Sequence, residues 1–225
     1  MTLVVLAIAG CGSSSSSSGN GVSSKSPTEI LAASKAAADS AGSVHVVGSL
    51  ASNGTPIQLN LSLASGHGGR GTISEGSLSF ELIVVGDTIY IKGSPAFYSH
   101  FGGAAAAQLF QGKWLRAPVS GSELSSLAAL ANFGKLLDQS LASHATLVRG
   151  TTSTVAGQPV IELRDTSHAG SLFVATTGQP YPVEIVKRGS GPETGRISFT
   201  DWNAPVSLAA PAGAIDLSQL QHAGH

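Results

Sequence analysis

Charge is what this sequence has least of. Asp, Glu, Lys and Arg make up 11% of the residues, far below the usual quarter or so. Lys and Arg (12) against Asp and Glu (13) leave a net charge of −1, so nothing supplies the basic stripe that nucleic-acid binding needs. Cysteine occurs once, at Cys11. That excludes an intramolecular disulfide and a cysteine metal cluster. Aromatic residues are 5%. Beyond the first eleven residues, no run is long and apolar enough to cross a membrane, which takes about 20 residues. Basic residues are missing before the apolar start as well, where an export signal carries them; a start codon placed too late would account for that.

Catalytic patterns are also lacking. There is no G-x-S-x-G elbow, no S-x-x-K with its partner motifs and no H-E-x-x-H. The seven histidines (His45, His67, His100, His144, His168, His222 and His225) are scattered singly, so a zinc site is not expected. Asp87, Asp165 and Asp201 fall at expected turns, where Asp commonly serves the backbone. Gly66-His67-Gly68-Gly69-Arg70-Gly71 matches G-x-G-x-x-G in form, but a dinucleotide loop needs a helix after it. Here a strand follows, and the stretch reads as a glycine hairpin loop. Asn53-Gly54-Thr55 and Asn60-Leu61-Ser62 are sequons in form only. The chain reads as a non-enzyme with no cofactor and no metal.

What is present begins with Met1 to Cys11, MTLVVLAIAGC. The uncharged run from Thr2 to Gly10 is too short to span a bilayer and has the length of a signal h-region. Ile8-Ala9-Gly10-Cys11 looks like a bacterial lipobox, in which the cysteine thiol takes a diacylglycerol and becomes the new N-terminus. Residues 1–10 are then a signal peptide, and residues 11–26 the lipidated Cys11 with a Ser/Gly-rich tether. Such a tether buries no core and would hold the domain on the order of 20 Å from its anchor. The expected location is the outer face of the cell membrane, with the membrane itself a partner through the anchor.

A folded domain is expected over residues 27–220, with a flexible tail at 221–225. Ser26-Pro27-Thr28-Glu29 has the form of a capping box opening a helix to about Ser40, stopped by Gly42. From Ser43 the apolar period changes to two. Ile57-Gln58-Leu59-Asn60-Leu61-Ser62-Leu63 alternates strictly, and the neighbouring strands follow at two to five residues, which permits antiparallel hairpins. This gives a five-strand meander to Lys92, then short helices and loops over 94–127, a strand at 114–117 and a helical segment over 123–141. About five more strands follow, within 145–153, 158–164, 171–176, 182–188 and 195–200. The fold class is α+β: one large antiparallel sheet with helices against one face, curled so as to stay covered.

A curled sheet under helices can enclose an apolar cavity. Ile57, Leu59, Leu61, Leu63, Leu78, Phe80, Leu82 and Val84 would line one half; Val183, Ile185, Ile197 and Phe199, together with Val160, Leu172 and Val174, would line the other. Cavity wall and solid core look alike in sequence, so both remain open here.

Several segments together carry a resemblance. They are the lipobox and tether, the first helix, Gly86-Asp87-Thr88-Ile89-Tyr90-Ile91-Lys92-Gly93, Gly112-Lys113-Trp114-Leu115, and Ile197-Ser198-Phe199-Thr200-Asp201-Trp202-Asn203-Ala204-Pro205-Val206 with Ala210-Pro211. In these the chain resembles the actinobacterial LppX/LprA/LprF/LprG lipoproteins, which are similar in fold to LolA and LolB, over roughly Pro27 to Leu217. The resemblance implies a half-open barrel with its concave face covered by helices. It implies a carrier that shelters acyl chains of a lipid or glycolipid and moves them across the cell envelope, with a membrane transporter as a possible partner. Only Cys11 transfers as a defined functional position. The alternative is an envelope interaction or scaffold lipoprotein with a packed, ligand-free core.

Overall fold

The structure is a computed structural model that describes residues 19–52, 54–120, 124–141, 146–189 and 194–222. Cys11, residues 1–10, the tether as far as Ser18, Asn53, Glu123, His144 and His225 lie outside the described residues.

The capping box forms as the sequence predicts. The Ser26 hydroxyl accepts the Glu29 amide, and the Glu29 carboxylate accepts the Ser26 amide at 2.9 Å, opening α1 (Pro27–Ser40). The helix ends without help from a glycine: Ala41 leaves it in an extended conformation at φ −74, ψ 139. Residues 20–24, expected within the tether, are docked on the domain. Val22–Ser24 forms one 3-10 turn and Val22 is buried, while the Asn20 side chain donates to the carbonyls of Ala175 and Gly178. One apolar residue and one amide suffice to dock a stretch whose serine content reads as linker.

Two meanders build the sheet. The first is β1 (Ser43–Ser52), β2 (Thr55–Ala64), β3 (Gly68–Glu75), β4 (Leu78–Val85) and β5 (Thr88–Gly93). Then come α2 (Pro95–Phe110), β6 (Leu115–Pro118), α3 (Ser125–Ala129) and α4 (Phe133–Leu141). The second meander is β7 (Leu147–Val155), β8 (Gln158–Asp165), β9 (Gly170–Ala175), β10 (Pro182–Lys187) and β11 (Gly195–Thr200). β12 (Ile215–Asp216) and α5 (Leu217–His222) complete the described chain. Gln221 and His222, expected in a tail, belong to α5.

All twelve strands join one sheet in the order β12-β6-β5-β4-β3-β2-β1-β11-β10-β9-β8-β7. The two ends do not pair with each other, so it is an open sheet rather than a closed barrel. Neighbours are antiparallel with one exception: β12 lies parallel to β6, Ile215 opposite Leu115. A two-residue strand near the C-terminus carries no alternation to announce itself, and it makes the sheet mixed.

The glycine run also differs from a loop. Gly68, Gly69 and Gly71 lie within β3, paired with both β2 and β4. A Cβ on Gly71 would stand 2.0 Å from the Asn60 carbonyl oxygen, and one on Gly68 would stand 2.1 Å from that of Val84. The glycines are there because backbones approach too closely for a side chain.

The helices lie on one face of the sheet. Ile30 of α1 packs on Ile161, Leu163, Leu172 and Val174 of the second meander. Ala38, Ala128, Ala131 and Phe133 meet Val44, Val46, Leu61, Leu63, Leu82 and Val84 of the first. Lys35 of α1 and Asp138 of α4 form an ion pair, bringing the two helical covers together.

Candidate functional site: an apolar cavity beneath the helical cover

The inward residues of β2 and β4 change character along their strands. Ile57, Leu59, Leu78 and Phe80 are only partly buried, whereas Leu61, Leu63, Leu82 and Val84 are closed off from solvent. All are large and apolar, so the difference lies in what covers them. At one end α4 and α1 press on the sheet; at the other the helices stand away from it. The gap is a cavity of about 970 Å³, at the upper end of the roughly 300–1,000 Å³ typical of ligand sites. A methylene is about the size of a water's ~30 Å³ share of the liquid, so the space takes on the order of thirty such groups.

The residues expected to line it separate into groups. Ile57, Leu59, Leu61, Leu78, Phe80, Ile197 and Phe199 line the cavity. Leu63, Leu82 and Val84 lie on the same face but form the solid core below it. Ile185 packs partly against that core and partly against the cluster under α1. Leu172 and Val174 are covered by α1. Val183 and Val160 do not face the helices at all: they pack with Phe173, Ala175 and Val186 on the other face. The cause at Val183 is an irregularity between Pro182 and Glu184, where β10 slips against β9. A bulge of that kind breaks strict alternation.

Alternation could find the floor of the site but not its roof. Phe97, Phe101, Ala106 and Phe110 of α2 line the cavity, with Leu124, Leu127, Leu130, Leu136 and Leu217 at its sides. Phe97 bridges the sheet and the outer end of the roof, its ring centroid 5.1 Å from that of Phe80 and 4.8 Å from that of Phe101. The signal in the sequence was the aromatic spacing Phe97, Tyr98, Phe101 and Phe110 around a run of alanine. α2 consists of two short helical pieces, as the sequence leads one to expect: Gly103, at φ 74, ψ 179, is a non-helical break between them. The segment expected to be helical over 123–141 is in turn divided into α3 and α4.

Polar groups are few. Among the described residues that line the cavity, Glu75 carries the charge, and it is exposed at the end of β3. Tyr98 is buried; its hydroxyl accepts the Gly93 amide at 2.8 Å and donates to the Lys113 carbonyl at 3.2 Å. Burial pushes the Tyr98 phenol above its ordinary pKa, against the opposing pull of the Gly93 amide and the Lys92 charge. Such a site can hold apolar matter by displacing water. Among the described lining residues no nucleophile stands beside a base.

The motif Phe199-Thr200-Asp201-Trp202-Asn203-Ala204-Pro205-Val206 serves the scaffold. Asp201 and Asn203 take positive φ, and the Asn203 amide oxygen accepts the Gly42 N–H at 2.8 Å. Trp202 stacks on Tyr181, centroids 4.4 Å apart, and meets Phe133 edge-on. These contacts bind the α1–β1 corner to the end of β11. Gly112-Lys113-Trp114 turns the chain out of α2, with the Lys92 ammonium 5.3 Å from the Trp114 ring centroid.

No model of a protein family matches the sequence, and no curated protein matches it. Solved structures do resemble it. LprF from Mycobacterium bovis aligns at 15% identity over 83% of this chain and 97% of that one, with a TM-score of 0.59. The lipoprotein LppX from Mycobacterium tuberculosis aligns at 15% identity over 81% and 98%, with a TM-score of 0.53. The chain therefore has the fold of these two mycobacterial proteins, an open curled sheet with helices on its inner face.

Proposed function

We propose that this protein is a membrane-anchored, extracytoplasmic lipoprotein of the LppX/LprF type that carries the acyl chains of a lipid or glycolipid across the cell envelope. The observation that carries the reading is the apolar cavity of about 970 Å³ between β1–β5 and α2. Burying methylenes contributes about 0.8 kcal/mol each. A sixteen-carbon chain would thus supply roughly 12 kcal/mol, before the costs of ordering it. Affinity on that scale needs no polar contact, and the head group can remain at the mouth beside Glu75. The fold shared with LprF and LppX supports the same reading. Lipidation at Cys11 and a partner transporter belong to this proposal.

Native mass spectrometry of the protein expressed in an actinobacterium tests it. Bound lipid, and transfer of that lipid between vesicles, is the expected result; ligand-free protein without transfer would overturn the reading. A scaffold with a packed core instead predicts that substitutions in the cavity wall leave function unchanged.

A further inference from the structure

A helix that is apolar on every side belongs inside a protein or inside a membrane. α2 is predominantly apolar, with Ser99, His100 and Gln108 as its exposed polar side chains, and it is in neither place. Its sixteen residues, Pro95–Phe110, include no Asp, Glu, Lys or Arg. One side lines the cavity, yet on the other Phe101 is 70% exposed and Leu109 52%, with Ala104 and Ala105 exposed between them. A helix lying on a bilayer ordinarily keeps a charged side toward water. Here the place of that side is taken by an apolar cavity, which explains why no charge is needed on either.

We propose that α2 docks into the interface of a lipid bilayer, with Phe101 and Leu109 among the acyl chains, so that the cavity mouth opens into the membrane rather than into water. Two further observations favour a bilayer over a protein partner. The surface offers Ala, Gly, Phe and Leu with few hydrogen-bonding groups, whereas a protein interface places Tyr, Trp and Arg at its centre. The helix is also followed at once by exposed Lys113 and by Trp114, a cation and an aromatic of the kind membrane interfaces favour; the Lys92 ammonium over the Trp114 ring is itself ion-paired with Glu81. Phe101 belongs to both surfaces: it lines the mouth and points outward. An acyl chain passing it would leave lipid and enter the cavity without crossing water. The proposal gives the carrier reading its point of entry, and the two can fail separately.

The test uses the full chain with Cys11→Ser, so that an introduced cysteine is the sole thiol. An environment-sensitive fluorophore is placed at Ala105→Cys in α2 or, as a control, at Ser153→Cys on exposed β7. Vesicles of phosphatidylethanolamine and phosphatidylglycerol are then added. We expect a blue shift and a several-fold rise in emission at position 105, quenched by nitroxide-labelled lipid, and none at 153. Leu109→Asp should abolish the response at 105, while uptake of a fluorescent fatty acid in vesicle-free solution stays as it was. Equal responses at 105 and 153 would overturn docking, even if the apolar N-terminus brings the protein to the vesicles. So would a blue shift without vesicles that accompanies dimers in sedimentation, because a second copy would then cover the helix. Docking at 105 without fatty-acid uptake would instead overturn the carrier reading alone.

Discussion

Tyr98 and Gly93 are joined by a 2.8 Å hydrogen bond in which the phenol oxygen accepts the backbone amide, and the same hydroxyl reaches the Lys113 carbonyl. One side chain thereby fastens the first half of α2 to the end of β5 and to the turn after the helix. Tyr98→Phe keeps the ring and strands the amide. The expected loss is about 1–3 kcal/mol, read as a lower urea midpoint with unchanged slope. Because burial raises the Tyr98 pKa above 10.0 in the fold, the neutral phenol's contribution is present below the unfolded value. It disappears as pH rises through the higher folded one. Tyr98→Phe should flatten the alkaline limb of the stability curve.

At the other end of the pH range the capping box answers. The Ser26 hydroxyl and then its amide hold the Glu29 carboxyl below its ordinary 4.5. A depressed pKa means stability that is present above the unfolded value and lost as pH falls through the folded one. Thermal melts from neutral to acid pH should therefore show a smaller acid-side decline in Glu29→Gln than in the parent.

Space, not backbone freedom, decides at Gly71. Gly71→Ala places a Cβ against the Asn60 carbonyl and 2.8 Å from the Leu61 Cα, both main-chain atoms that cannot swing aside. A loss of about 3 kcal/mol or a failure to fold is expected. Gly134→Ala in α4 meets only the Asn132 side chain at 3.6 Å. It should stabilise by about 0.5–1 kcal/mol. Parallel melts of the two variants check both.

Filling the cavity separates ligand uptake from folding. Ala106 is partly buried and faces the space from α2. Ala106→Trp should weaken uptake of a fluorescent fatty acid by roughly tenfold or more, 1.4 kcal/mol at least, with the melting temperature near that of the parent.

Removing the anchor should relocate the protein without unfolding it. Cys11→Ser is expected to leave a binding-competent domain that no longer incorporates labelled palmitate or fractionates with membranes. Retention of both would overturn the lipoprotein reading.

The strands were the legible part of this chain. Alternation from Ile57 to Leu63 specified which side chains share a face, and short connections left antiparallel pairing as the available geometry. Four things were not legible, each for a physical reason. The irregularity at Val183 depends on how β10 meets β9, which no local pattern encodes. The placement of β12 beside β6 depends on a tertiary pairing of two residues. The hollow itself depends on distance: Ile57 and Leu61 are alike as residues, and only the standoff of α2 leaves one half-open and the other closed. The docking of Val22 and Asn20 was hidden by the serines around them.

The pairing of β1 with β11 also governs how the molecule is put together in time. It is the seam between two hairpin series, with His45 opposite Thr200, partners 200 − 45 = 155 positions apart. Each meander can form from contacts between neighbours, which is fast; closing the seam requires a long loop to be gathered first, which is slow. While the chain is delivered N-terminus first, β1 waits as a bare edge until residue 200 arrives, and bare edges recruit other strands. The seam is thus the pairing expected to form last, and the place where a chaperone or a premature encounter with another chain would act.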